Sequence, residues 1–158
     1  MTTLAGLAWI AGGRHGAAWS GRAGVHDDLR ALYRALREEG VLPDSMPNFA
    51  RFDEDSRRLC LAAGLALHDA GLRPGSPEAR QTGLLLAGPD GAIAANLAYF
   101  RDYVAGGRVL GRGNLFIYTL PTSPGAEAAI GYGLGGPLLY LAPADDDGLC
   151  ALRDAWNL

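Results

Sequence analysis

Apolar and polar positions along this chain follow two periods, and each segment reads as one or the other. LAGLAWIAG (residues 4–12) is almost continuously apolar and predicts a buried first strand. HDDLRALYRALREEG (26–40) places Leu29, Leu32, Tyr33 and Leu36 on one helical face, with aspartates in its first turn and Gly40 at its end. VLPDSMPNF follows as a loop with two prolines, and DEDSRRLCLAAGLALHDAGL (53–72) predicts a second helix, acid-led and closed by Gly71. RPGSPEARQ reads as an exposed turn. TGLLLAG (82–88) is a short apolar run between glycines, as expected for a strand covered on both faces.

The second half continues the alternation. GAIAANLAYFRDYVAGG (91–107) predicts a helix and NLFIYTLP (114–121) a strand. PGAEAAIGYGL (124–134) is a small-residue helix with Pro124 in its first turn, and Ser123 before it is the expected N-cap. PLLYLAP (137–143) is the last strand and DDDGLCALRDAW (145–156) the closing helix. Strands alternating with helices predict one α/β layered domain over residues 1–158, a mixed sheet flanked by helices, with no internal repeat or linker.

Composition narrows the classes. The chain is 49% apolar and 20% charged, which is ordinary for a globular domain. Its net charge of −3 lacks the basic excess of a general nucleic-acid binder. The first apolar stretch has no basic residue ahead of it and stops at glycines, so it reads as a strand rather than a leader. No run approaches the roughly 20 apolar residues of a membrane helix. Cys60 and Cys150 stand ninety residues apart, which suggests neither a zinc site nor a disulfide framework, so a reduced, cytoplasmic setting is expected. All fourteen basic residues are arginine.

Three stretches, taken in order, resemble the N-terminal half of a β-ketoacyl synthase, of the thiolase-like superfamily. They are SRRLCLAAGLALHDAGL, then TGLLLAGPDG, and most specifically LFIYTLPTSPGAEAAIGYGLGGP, which is similar to that family's strand, Leu-Pro turn, small-residue helix and Gly-Pro ahead of the nucleophile strand. The resemblance spans about residues 53 to 150. It implies a half-thiolase-like fold, and it implies where a nucleophilic cysteine should stand. Counting on from Gly136 lands near Asp145, in Pro143-Ala144-Asp145.

Cys150 falls five residues later, and five helical residues rise about 7.5 Å. A cysteine at a helix N-terminus gains from unpaired N–H groups and the dipole, whereas one well inside the helix gains neither. Cys150 therefore reads as a packing residue and the weaker alternative to Asp145 for the nucleophile position. Asp145 to Asp147 suit a helix cap, worth about 1 kcal/mol. A carboxylate there is also a poor acyl acceptor.

The resemblance further implies that histidines, or a histidine and an asparagine, and a lysine from a C-terminal half would complete the chemistry. Here His15, His26 and His68 all precede Gly136, outside the family's motif positions, and no lysine is present. No cofactor and no metal is expected. GGRHG and GRGN lack the strand–loop–helix context of a phosphate loop. Arg30, Arg34 and Arg37 share a helix face that could meet an acidic acyl carrier protein, although acidic neighbours make a solvated face the simpler reading.

A half-fold also leaves small-residue helices around 59–70 and 124–134 short of cover, so self-association or a partner is expected, with PLLYLAP as the interface segment. The resulting expectation is a catalytically inactive ketosynthase-like subunit in fatty-acid or polyketide assembly. It would form a homodimer, or a heterodimer with an active ketosynthase, as chain-length-factor-like subunits do. The alternatives are one half of a split synthase, and a non-catalytic module binding an acyl group, coenzyme A or carrier protein.

Overall fold

The computed structural model describes residues 4–44, 46–142 and 150–157. These form a mixed α/β fold of seven α-helices and two small sheets. Among them no helix is long and apolar enough to cross a membrane.

The first sheet is an antiparallel meander of β1 (Ala8–Ala11), β2 (Arg14–Ala17) and β3 (Arg22–Val25), with Trp9 opposite Gly16 and His15 opposite Gly24. The single strand expected over 4–12 is thus only its first strand. The two strands after it lie in GGRHGAAWSGRAGV, where frequent glycine and alanine leave little apolar alternation to read. The second sheet is one parallel pair, β4 (Leu84–Ala87) and β5 (Leu138–Leu141). The two sheets stand in place of the one mixed sheet expected. β4 is only half-buried, not covered on both faces.

Helix α1 (Leu29–Glu38) begins at Asp28, whose carboxylate accepts from the Arg30 and Ala31 N–H groups at 2.7 Å, and buries Leu32 and Leu36. The aspartate acts as the cap itself rather than in the first turn. Helix α2 (Glu54–Asp69) is capped by Asp53, which accepts from Ser56 N–H at 2.8 Å. Each such cap satisfies N–H groups that the first turn leaves open. Gly71, at φ +71°, follows the end of α2 in the left-handed conformation that stops helices.

After a short helix α3 (Pro77–Gln81) come α4 (Ile93–Ala105), α5 (Gly113–Phe116), a 3-10 turn (Ile117–Thr119), α6 (Ser123–Tyr132) and α7 (Cys150–Asn157). The strand expected over 114–121 is therefore helical. Its apolar run is too short for periodicity to separate a strand from helical turns, and packing against α4 decides the matter. Ser123 is the first residue of α6 and not its cap: its hydroxyl donates back to the Ile117 carbonyl, and Thr122 precedes it without a capping bond.

The core centres on α2 and α6. Cys60, Leu61, Leu65, Ala128 and Tyr132 are buried there, joined by Leu32, Leu36, Phe49 and Phe52. The small-residue helices expected to lack cover instead bury each other. α6 reaches the second sheet through Gly125, where a Cβ would lie 2.6 Å from Leu138 Cδ1 and 2.7 Å from Leu86 Cδ1. Small residues here let a helix backbone rest directly on the strands.

Candidate functional site

β5 leads toward the position where the family resemblance looks for a nucleophile. Asp145, with its neighbours 143 to 149, lies outside the described residues. The described backbone resumes at Cys150, the first residue of α7, and α7 lies beside β4.

The other cysteine is well defined. Cys60 sits in the middle of α2 with no exposed surface. Burial, reinforced by the carboxylates of Glu127 and Asp53, pushes its thiol up to about 12. A thiol held protonated is neither a nucleophile nor a metal ligand. Polar groups gather around it. Tyr118, from the 3-10 turn, is pushed above its ordinary value by burial and then by Glu127 and Asp53. Burial likewise raises the Glu127 carboxyl. The Ser56 hydroxyl is buried and finds no hydrogen-bond partner among the described residues. Ser56 and Cys60 are fully enclosed in the core, Tyr118 is nearly so, and Glu127 is half-buried beside them.

The histidines divide into two places. His15 on β2 and His26 just after β3 bring their Nδ1 atoms to 3.4 Å, a hydrogen bond whose donor is whichever ring carries the proton. His15 is buried; burial lowers its pKa, helped by His26 and Arg22 and opposed by Glu39. Arg22 and Glu39 form an ion pair at the same edge. No group of three or more His, Cys, Asp or Glu residues is placed to hold a metal among the described residues. His68, on the outer side of α2, lines a separate cleft of about 710 Å³ with Leu42, Pro43, Leu67, Arg73 and Tyr132. Polar and apolar surface share its walls about equally, which suits a small amphipathic ligand.

Arg30, Arg34 and Arg37 are exposed on α1. Arg37 lies over the Tyr33 ring at 5.8 Å, and Arg30 reaches the Ala50 carbonyl. On β5, Leu139 is exposed while its neighbours are half-buried. An open apolar face lies elsewhere, on α4, where Ile93, Leu97, Phe100 and Val104 are all exposed. Their four-three-four spacing was readable in the sequence, but an apolar helical face is ordinarily read as core.

No family model matches the chain, and no curated protein matches it.

Proposed function

We propose that the chain is a catalytically inactive, ketosynthase-like subunit that acts by pairing, with itself or with an active ketosynthase, in fatty-acid or polyketide assembly. The finer, half-thiolase-like layering is part of this proposal. The observation that carries it is the ordered set of motifs ending at Gly136-Pro137, with an aspartate near the position where an acyl-accepting sulfur should stand. The parallel β4–β5 pair, whose connection runs through α4, α5 and α6, with α6 packed between the pair and α2, is compatible support. So is Cys60, whose buried, protonated thiol could not accept an acyl group.

The test is covalent capture. Incubation with a ketosynthase-directed electrophile, followed by intact-mass analysis, should leave the native chain unmodified. An adduct mapped to Asp145 or Cys150 would overturn the reading. A second reading, a module that binds an acyl group or its carrier without chemistry, is favoured by the amphipathic cleft beside His68. Thermal stabilisation by acyl-coenzyme A without turnover, lost in Leu67→Asp, would support it.

A further inference from the structure

Ile93, Leu97, Phe100 and Val104 follow one another at steps of four, three and four residues, so they form one stripe along α4. The stripe is open: these side chains expose 56, 48, 60 and 40% of their surface, and α4 buries none of its thirteen residues. Yet the helix is anchored from its other sides. Asn96 donates to the Thr119 carbonyl at 3.0 Å, the Tyr99 ring meets Phe116 edge-on at 5.6 Å, and Asp102 pairs with Arg112 at 3.3 Å. The stripe is therefore presented by a helix held in place.

The adjoining segment adds Phe116, Ile117 and Leu120, each more than half exposed. Together the seven side chains present roughly 700 Å² of apolar surface, close to the about 800 Å² that each partner contributes to a standard interface. Monomers rarely expose more than a few hundred Å² in one patch.

We propose that this face docks a second copy of the chain, α4 against α4 across a two-fold axis. The four-three-four repeat is the spacing of a two-helix seam, which a copy of itself can match. The stripe itself carries no charge; the charged residue flanking it, Arg101, is one exposed arginine per copy, and the antiparallel crossing sets it toward Ala94 and Asn96 of the second copy rather than toward another arginine. An antiparallel crossing midway between Leu97 and Phe100 sets each Phe100 ring against Leu97 of the other copy and Ile93 against Val104, and it opposes the two helix dipoles. This deepens the self-pairing reading above and rests on it, but moves the contact from residues 137–143 to α4.

The experiment is sedimentation velocity on the full chain from about 0.1 to 100 μM, with far-UV circular dichroism as the folding control. The expected result is a dimer whose dissociation constant rises at least about a hundredfold in Leu97→Asp, with an unchanged spectrum. Phe100→Gln gives a second reading should the aspartate disturb folding, and it should weaken the dimer in the same direction. Ile130→Gln, on the exposed side of α6, should leave the dimer intact. A wild-type dimer that survives both α4 substitutions overturns the α4 contact and leaves self-pairing standing. A wild-type monomer throughout the range overturns both.

Discussion

The Tyr132 hydroxyl, on α6, donates to the Cys60 carbonyl oxygen, on α2, at 2.7 Å across 72 residues of sequence. Both residues are buried, and the bond lies where the two central helices meet. It depends on Gly64, one turn along α2. A Cβ at position 64 would stand 2.3 Å from the Tyr132 oxygen and 2.4 Å from Leu42 Cδ2. The small residue is what lets the phenol reach the backbone.

Gly64→Ala tests that dependence. Alanine gains about 1 kcal/mol over glycine in helix propensity, whereas overpacking a core typically costs about 1–3 kcal/mol. Two neighbours are struck at once, so the clash is expected to win and the variant to melt lower. Tyr132→Phe removes only the hydroxyl and should cost about 1 kcal/mol in urea unfolding. In the Gly64→Ala background that cost should shrink, because the phenol has already been displaced; a double-mutant cycle checks this.

Cys60 gives a prediction at alkaline pH. Its folded pKa, raised to about 12 by burial, exceeds its unfolded value of 9.0, so above pH 9 the native state binds the extra proton. Stability is therefore full below pH 9 and falls above it, by up to about 1.4 kcal/mol per pH unit from this group. Tyr132, raised by burial, adds to the loss at still higher pH. Cys60→Ala should be less stable at neutral pH yet show a shallower decline from pH 9 to 11. In the native wild type, peptide mapping after iodoacetamide treatment should find Cys60 unmodified until the chain unfolds.

Asp69 works in the opposite direction. Its side chain, at the C-terminal end of α2, accepts from the N–H groups of Leu7, Trp19 and Ser20 at 3.0, 3.1 and 2.7 Å, tying the meander to the helix. Desolvation opposes ionisation here, but these donors outweigh it and hold the carboxyl at about 2. A carboxylate at a helix C-terminus is unfavourable to the dipole, so the N–H groups of the meander account for its charge. With the folded pKa below the unfolded one, its stabilisation is present above about pH 4 and lost as pH falls toward 2. Asp69→Asn should melt lower than wild type at pH 7, with the difference narrowing by pH 2. An equal gap at both pH values would rule the linkage out.

Ser56 predicts a gain. Its buried hydroxyl has no hydrogen-bond partner among the described residues, while its backbone N–H is already capped by Asp53. Ser56→Ala removes an unsatisfied polar atom and keeps the cap, so stability should rise by about 1 kcal/mol. A loss instead would mean that the hydroxyl is engaged.

What the sequence determined by itself was the local grammar. Helical spacing with acidic residues at the start placed α1 and α2, and short apolar runs placed β4 and β5, because these signals act within a few residues of themselves. Cys60 could be read as unsuited to a metal or disulfide from spacing alone. Tertiary structure decided the rest. Residues 114–121 fit a strand or a helical turn equally, and α4 settled it. The meander was hidden because its glycines and alanines carry almost no periodic signal, and pairing partners rather than side chains hold its strands. The sequence marked α4 as a helix without saying what its apolar residues meet, and only the assembled fold, in which α2 and α6 cover each other, leaves that face uncovered. Periodicity tells which residues share a side; what lies opposite that side is a property of the whole packed chain.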